Sequence, residues 1–262
     1  MSEDKITFSF GANWQDFLKH ANERVITGAR ADIEKWLGES NVKGKRIVDI
    51  GCGSGVHSWC YHLMGARELV SLDVDPNSVA ATTRCFEQAG KPANWQVLHG
   101  SVLDTNFLAK LGTFDIVYSW GVLHHTGQMW PAIENACTLI APGGLFWIAL
   151  YVKGPNYQRD LELKQRYNRA GALGKWWMER KWINGLMWKR LKKGKNPFNW
   201  NRKKERGMNT YHDLVDWLGG LPYEVVSVED IRDFCGKHGL TVERVEEHGE
   251  GANHIFLLRR AK

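Results

Sequence analysis

The chain has 262 residues with 35 basic and 29 acidic side chains, which gives a formal net charge of +6. Hydrophobic residues make up 43% of it, which excludes a disordered chain and predicts one large domain, or one domain with an insertion. No apolar run reaches the ~20 residues that span a bilayer, and the first residues lack the apolar stretch of a secretory signal. The five scattered cysteines form no C-x-x-C pair, which favours a reduced, cytoplasmic protein and argues against a zinc site or another metal site.

The charge is distributed unevenly along the chain. Residues 153–209 contain 17 basic and 4 acidic side chains, a net charge of +13, and the rest of the chain has a net charge of −7. The protein is therefore an acidic body with one strongly basic segment.

Short β-branched runs alternate with helical stretches between residues 45 and 151. The pattern predicts strands at 46–50, 68–73, 94–99, 114–120 and 145–151, and helices at 56–64, 77–88 and 130–140. Nearly continuous apolar strands that alternate with helices indicate an α/β fold with a parallel sheet covered on both faces.

The remaining residues divide into three regions around this core of residues 41–152. Residues 1–40 predict helices ahead of the sheet, and residues 153–209 form a basic, tryptophan-rich insertion that interrupts the alternation. Residues 210–262 predict helices near 211–218 and from about 227, then strands at 241–247 and 254–260 that complete the sheet.

The sharpest motif is VDIGCGSG, residues 48–55, at the end of the first predicted strand. Its glycines let the backbone turn tightly and leave room for a ligand at the following helix N-terminus. Val56 stands where a dinucleotide fingerprint has its third glycine, so a nicotinamide or flavin site is disfavoured. Asp73 ends the second strand, 22 residues after Gly51, where a carboxylate can accept both hydroxyls of a ribose. Alternatively, the glycines only form a turn and Asp73 caps the next helix.

With these features the stretch from 46 to 151 resembles the class I S-adenosylmethionine-dependent methyltransferases, through VDIGCGSG, LVSLDVDP, GSVLD, FDIVYSWGVLHHT and LIAPGGLFWIALY. It is most similar to the quinone-biosynthesis branch and to bacterial methyltransferases of polysaccharide and natural-product pathways. FSFGANWQDFL and RGMNTYHDLVDWLGGLPYE are similar to segments of the latter group. The resemblance implies a doubly wound, Rossmann-like, seven-stranded sheet that is mostly parallel with an antiparallel last strand. It also implies S-adenosyl-L-methionine bound across the carboxyl ends of the first strands.

The resemblance implies roles for the residues around the first two strands. Gly51, Gly53 and Gly55 would approach the methionine part of the cofactor, Asp49 would help to order their loop, and Asp73 would hold the ribose. These roles match the general rule that ligands of open α/β sheets bind at the carboxyl ends of the strands.

Two further parts of the implied cofactor site follow the third and fourth strands. The family often has an acid beside the adenine amino group, but this chain has Ser101 there. Adenine recognition would then rest on its hydroxyl, on backbone groups or on Asp104. Ser119 and Trp120 would lie near the transferred methyl. The complete set of expected cofactor residues is Trp14, Asp49, Gly51, Cys52, Gly53, Gly55, Asp73, Val74, Ser101, Val102, Ser119 and Trp120.

The N-terminal aromatic residues are a candidate lid over this site. Phe10, Trp14 and Phe17 share one face of a predicted helix. A simple packing stripe is the alternative interpretation.

Transfer of a sulfonium methyl is an in-line displacement, so much of the catalysis can come from holding nucleophile and methyl in line, with water excluded. A neutral hydroxyl or a protonated amine also needs a base. His124 and His125 follow the fourth strand and Tyr151 ends the fifth, which makes them the candidate catalytic residues. The alternative is that one histidine only holds the loop, and the sequence does not separate the two.

The insertion interleaves five tryptophans with basic residues, and four interpretations compete. It could bind a small anionic acceptor such as a phosphorylated sugar, a nucleotide or an acidic glycan. It could lie on a membrane surface and meet a lipid-linked substrate, or grip RNA, or be a solvated helix whose tryptophans pack on the core. We expect methyl transfer to an oxygen or nitrogen of a small, anionic, glycan or natural-product acceptor. The alternatives are an RNA methyltransferase, an enzyme acting at a membrane surface, and a scaffolding module without activity.

Overall fold

The computed structural model describes residues 23–200 and 210–262. The strands are β1 (Arg46–Ile50), β2 (Glu68–Asp73), β3 (Trp95–His99), β4 (Phe114–Trp120), β5 (Ile140–Tyr151), β6 (Leu240–Glu246) and β7 (Asn253–Arg260). The helices are α1 (Glu23–Trp36), α2 (Val56–Leu63), α3 (Pro76–Gln88), α4 (Thr105–Ala109), α5 (Met129–Thr138), α6 (Tyr157–Arg169), α7 (Ala172–Lys192), α8 (Thr210–Gly219) and α9 (Val228–Lys237). Short 3-10 turns occupy Glu39–Asn41, Leu123–His125 and Pro197–Trp200.

The seven strands form one sheet in the order β3-β2-β1-β4-β5-β7-β6. β1 pairs in parallel with both β2 and β4, and β7 runs antiparallel to both of its neighbours. The predicted mostly parallel, seven-stranded α/β sheet is confirmed. The order of strands reverses between β1 and β4, so the crevice at their carboxyl ends is where this class of sheet binds ligands.

Two parts of the core differ from the sequence prediction. β5 begins at Ile140 instead of 145, because its pairing with β4 shifts register between Phe114 and Ile116 and so accommodates the Pro-Gly-Gly turn within the strand. The short helix α4 was not predicted, and its N-cap Asp104 accepts a hydrogen bond from the Phe107 amide at 3.0 Å. Asp104 is therefore used as a helix cap.

Helix α1 packs on the sheet as part of the core. Val25, Ala29 and Ile33 are buried in one cluster with Ile47 of β1 and Trp147 of β5. Residues 23–36, which belong to the N-terminal region 1–40 predicted as a helical lid, thus form a helix that packs against the sheet. Residues 1–22, which include the predicted lid residue Trp14, lie outside the described residues.

The described part of the basic insertion contains two helices, α6 and α7, that pack on α8. Ile183 of α7 is buried against Tyr167 of α6 and Leu214 and Leu218 of α8. Glu179 of α7 accepts hydrogen bonds from the hydroxyls of two tyrosines, Tyr167 at 2.6 Å and Tyr211 at 2.9 Å. These contacts fix one face of α7 to the body of the protein.

Three tryptophans of α7 do not pack on the core. Trp176, Trp177 and Trp188 are exposed, so the interpretation of a helix that buries its tryptophans is wrong for these three. Trp182 is 45% exposed, but its ring lies 6.0 Å from that of Trp217. Within residues 23–200 and 210–262, no helix is both long enough and apolar enough to cross a membrane.

Candidate functional site

The glycine loop joins β1 to α2 in a conformation that requires glycine. Gly51 has a φ of +75°, and a Cβ at this position would lie 2.4 Å from Cγ1 of Val122. The Gly51 and Cys52 amides donate to the Leu72 carbonyl at 2.8 and 3.1 Å. The end of β2 therefore holds the loop in place, and the missing side chain lets it approach the segment after β4.

Asp73, at the end of β2, presents a carboxylate beside this loop. Its Oδ2 accepts from the Gly53 amide at 3.1 Å and its Oδ1 from the Asp75 amide at 2.9 Å. Burial raises the pKa of Asp73, and hydrogen bonds from backbone amides, chiefly those of Asp75 and Gly53, oppose that rise. An ionised carboxylate has about four acceptor positions, so about two remain for the hydroxyls of a ribose. The loop and the carboxylate thus fit S-adenosylmethionine.

A cavity of about 1360 Å³ runs from the glycine loop to the helical insertion. It is larger than the ~1,000 Å³ upper range of ordinary ligand pockets, so it has room for a cofactor and an acceptor together. Eight of the predicted site residues line it: Gly51, Gly53, Asp73, Val74, Trp120, His124, His125 and Tyr151.

Six other predicted cofactor residues, all of them described, do not line this cavity: Asp49, Cys52, Gly55, Ser101, Val102 and Ser119. Ser119 is fully buried, and its hydroxyl donates to the Ile50 carbonyl at 3.0 Å, which joins β4 to β1. Asp49 lies below the loop and accepts from the Ser58 hydroxyl of α2 at 2.6 Å. These two side chains support the cavity wall from behind.

The predicted adenine residue Ser101 has a local partner. Its hydroxyl oxygen accepts from the Leu103 amide at 3.1 Å, and the adjacent Val102 is buried in the core. A direct contact of either side chain with adenine stays a prediction.

His124 is fully buried beside the cavity. Its Nδ1 accepts a hydrogen bond from the Tyr151 amide at 3.2 Å, so the proton of the neutral ring lies on Nε2. This Nε2 has no hydrogen-bond partner within the described part of the chain. Burial, with smaller contributions from His125 and Lys164, lowers the pKa of His124 well below its usual value. His124 is thus a neutral ring with a donor at Nε2.

His125 has the opposite tautomer. Its Nδ1 lies 2.7 Å from the carbonyl oxygen of Pro222, which can only accept, so Nδ1 carries the proton and Nε2 carries a lone pair. Burial lowers the pKa of His125 to about 3, which keeps the ring neutral at physiological pH. The two histidines therefore offer a donor and an acceptor, a difference the sequence could not reveal.

Lys164 is a buried residue of the site that the sequence interpretation missed. Its Nζ donates to the Trp217 carbonyl and lies 5.2, 4.6 and 4.5 Å from the ring centres of Tyr151, Trp217 and Tyr223. Burial lowers the pKa of Lys164 to about 7, opposed by Asp160 and Asp216. Its aromatic partners come from β5, from α8 and from the segment after α8, so no local spacing could have indicated the cluster.

The acceptor end of the cavity carries more acidic than basic groups. The charged residues that line it are two bases and four acids: Arg159, Lys189, Asp160, Asp213, Asp216 and Glu250. The other described bases of the insertion lie outside this lining. Glu250 also accepts from the backbone and side-chain nitrogens of Asn156 at 2.5 and 2.6 Å, which ties the β6–β7 loop to the insertion. Most of the described bases of the insertion are therefore not part of the cavity lining.

Comparison with known proteins agrees with this geometry. Residues 47–144 match the family model described as a methyltransferase domain. The chain is 34% identical over 115 residues to a ubiquinone biosynthesis O-methyltransferase of Methylobacterium sp. (strain 4-46), covering 43% of each protein. It is 31% identical over 133 residues to a tRNA U34 carboxymethyltransferase of Methylococcus capsulatus, covering 51% of this chain and 36% of the relative. Both matches span less than half of the relative.

Solved structures share the fold along almost the whole chain. A magnesium protoporphyrin IX methyltransferase from Synechocystis PCC 6803 with bound S-adenosylhomocysteine superposes with a TM-score of 0.57 at 15% identity, covering 95% of this chain and 94% of that one. An N-methyltransferase from Bradyrhizobium japonicum WM9 gives a TM-score of 0.52 at 12% identity, with coverages of 95% and 99%. Residues 47–144 thus match a methyltransferase domain, and the described chain has the fold of solved methyltransferase structures.

Proposed function

We propose that the protein transfers the methyl group of S-adenosylmethionine to an oxygen or nitrogen of a small molecule held between the sheet and the helical insertion. The observation that carries this proposal is the continuous cavity that joins Asp73 and the glycine loop to His124 and His125. The cofactor, when bound, supplies an electrophilic methyl group. The chain would supply a binding site for the ribose, a cavity for the acceptor, and groups that accept or donate the acceptor's proton.

We propose different roles for the two histidines. His125 would take the acceptor's proton on Nε2, because that atom carries the lone pair of the neutral ring. His124 would donate its Nε2 proton to a polar atom of the acceptor and so orient it. Tyr151 would position His124, since its amide holds Nδ1 at 3.2 Å. The low pKa of His125 makes it a weak base, so it would remove a proton more readily from an acidic acceptor hydroxyl than from an ordinary alcohol.

We propose that an anionic part of the acceptor, if it has one, lies next to Arg159 and Lys189. These are the basic residues of the described insertion that line the cavity. The four carboxylates at the same end of the lining would disfavour a multiply charged anion. A glycan or natural product with a reactive hydroxyl or amine fits this charge pattern better than a nucleotide.

The region boundaries and the compartment are further parts of the proposal. Residues 41–152 would bind the cofactor, residues 153–209 would shape the acceptor side, and residues 210–262 would complete the sheet. The five cysteines are all free thiols, which supports a reducing compartment such as the cytoplasm.

An RNA methyltransferase is the competing proposal, because one curated relative is named for a tRNA modification and the insertion is basic. The acidic lining of the cavity opposes it, since a phosphate backbone would have to approach Asp160, Asp213 and Asp216.

The test is the formation of S-adenosylhomocysteine with a panel of phenols, hydroxylated glycans, amines and bulk tRNA. We expect turnover with at least one small molecule, and loss of that turnover in Asp73→Ala. Turnover with tRNA alone would contradict the proposal. So would cofactor binding without turnover of any acceptor, which would favour a scaffolding module.

A further inference from the structure

The outer face of α7 presents an exposed apolar surface. Leu173, Trp177, Trp188 and Leu191 follow one another at spacings of 4, 11 and 3 residues, which places them on one side of the helix. Their exposed fractions are 71%, 62%, 59% and 53%, and the exposed Trp176 adjoins them. We call these five residues the tryptophan face. Apolar side chains grouped in this way at a surface mark an interaction site, whereas single exposed apolar residues do not.

Basic side chains flank the tryptophan face. Helix α7 contains six basic residues and one acid, Glu179, which is turned inward to its two tyrosine partners. The Arg180 guanidinium lies 5.5 Å from the ring centre of Trp176, and the Lys192 Nζ lies 5.6 Å from that of Trp188. The positive charge is therefore placed at the edges of the apolar surface.

The rest of the helix fixes the orientation of this face. Ile183 anchors α7 in the small core formed with α6 and α8, and Trp182 and Leu186 line the cavity. None of the five residues of the tryptophan face belongs to the cavity lining. The face thus points away from the methyl-transfer site, and its exposure is independent of the proposed chemistry.

We propose that the tryptophan face docks α7, lying in the plane of the surface, on an anionic lipid bilayer. Tryptophan rings and long basic side chains both match the boundary between head groups and acyl chains, where their apolar parts are buried and their polar ends stay solvated. Anionic lipids match the flanking charge. The helix is not apolar enough to cross a membrane, so it would lie on the surface.

Two other partners fit this surface less well. Leu173 and Leu191 have no ring on which a nucleic-acid base could stack, yet they are as exposed as the tryptophans. A second copy of the chain would bring two sets of six basic residues together at one interface. An anionic bilayer can bury the aliphatic side chains and attract the basic ones.

Sedimentation of the full chain with lipid vesicles tests the proposal. Wild type should pellet with phosphatidylcholine vesicles that contain phosphatidylglycerol, and much less with phosphatidylcholine alone. Trp177→Ala/Trp188→Ala should weaken partitioning at least about tenfold, because two large rings lose their burial. Leu63→Ala, which removes an equally exposed leucine from α2, is the matched control and should bind as wild type does.

A second pair of variants tests the charge. Arg180→Gln/Lys192→Gln should also weaken binding to the anionic vesicles about tenfold or more. The control is Lys110→Gln/Lys237→Gln, which removes two exposed bases outside α7 and should bind as wild type does. Added salt should reproduce the loss in wild type. None of the changed residues lines the cavity, so a folded variant should bind S-adenosylmethionine as wild type does. Titration with this cofactor and circular dichroism therefore check that each variant is folded.

The proposal is overturned if wild type stays in the supernatant with anionic vesicles, or if the tryptophan variant binds as its control does. Binding to poly(U) in the absence of vesicle binding would assign the face to nucleic acid instead. If the double variant does not fold, quenching of wild-type tryptophan fluorescence by brominated anionic lipid decides the question. Absence of quenching would then contradict docking.

Discussion

His124 and His125 are neighbours in the chain, but their Nδ1 atoms meet opposite kinds of partner. One accepts from the Tyr151 amide, and the other donates to the Pro222 carbonyl. Sequence alone identifies the pair through its position after β4, because a loop at the carboxyl end of a strand faces the ligand crevice. The tautomers depend on β5 and on the segment after α8, which lie far away in the sequence, so only the structure could separate the roles.

Replacement of each histidine by glutamine should separate these roles. His125→Gln removes the proposed base and should lower kcat by about 10–100-fold with the S-adenosylmethionine Kd unchanged. His124→Gln should act mainly on the KM of the acceptor. Steady-state kinetics with calorimetry measures both, and His238→Gln, at the C-cap of α9, is the control. Retained kcat in His125→Gln would contradict the assignment.

Gly51 should tolerate no side chain, for two separable reasons. Gly51→Ala places a methyl group against Val122 and also strains a φ of +75°. Gly44 has the same φ, but a Cβ added there would meet no atom within 4 Å, so Gly44→Ala carries the strain of about 1 kcal/mol without the collision. We expect Gly44→Ala to bind S-adenosylmethionine normally and Gly51→Ala to lose most of its affinity in calorimetry. Equal affinities would mean that the close approach to Val122 is unimportant.

Lys164 should make stability depend on pH. Its pKa is lowered to about 7 in the folded protein, so between about pH 7 and about pH 10 the unfolded chain binds a proton that the folded chain does not. The contribution of Lys164 to the free energy of unfolding therefore rises with pH across this window. Relative to Lys164→Met, wild type should gain up to about 1.4 kcal/mol per pH unit in urea unfolding. A difference that stays constant with pH would contradict the lowered pKa.

At the scale of elements, helix α9 shows a prediction that depends only on local sequence. Ser227 and Asp230 form a complete capping box, in which the Ser227 hydroxyl accepts from the Asp230 amide at 3.1 Å and the Asp230 carboxylate accepts from the Ser227 amide at 2.9 Å. The three-residue spacing predicts this cap. In contrast, the start of β5 depends on the register with β4, which no local pattern records.

Ser227→Ala should lower the free energy of unfolding by about 1 kcal/mol, because an amide of the first helical turn loses its acceptor. Urea unfolding measures the change. Thr138→Ala removes an exposed hydroxyl that bonds only a carbonyl of its own helix, and should change stability by less than about 0.5 kcal/mol. Equal effects of the two substitutions would show that the capping box does not stabilise α9.

At the scale of the whole molecule, charge is segregated between two surfaces. The sequence locates a positive segment after β5 and predicts that this charge meets the acceptor. The structure places two of its described bases at the acceptor end of the cavity lining, together with four acids, while the outer side of α7 carries exposed bases beside tryptophans. Net charge along a sequence gives no information about which side of a helix faces a cavity, because that depends on the packing of α6, α7 and α8.

We propose that the glycine loop and Asp73 form a binding site for S-adenosylmethionine. Calorimetric titration of the folded chain with this ligand tests the proposal most directly. We predict micromolar affinity for wild type and at least about tenfold weaker binding for Asp73→Asn, because that substitution removes the carboxylate proposed to accept the ribose hydroxyls. Asp104→Ala, which removes an acid that caps α4, should bind as wild type does. No heat of binding to folded wild type, or unchanged affinity in Asp73→Asn, would contradict the account.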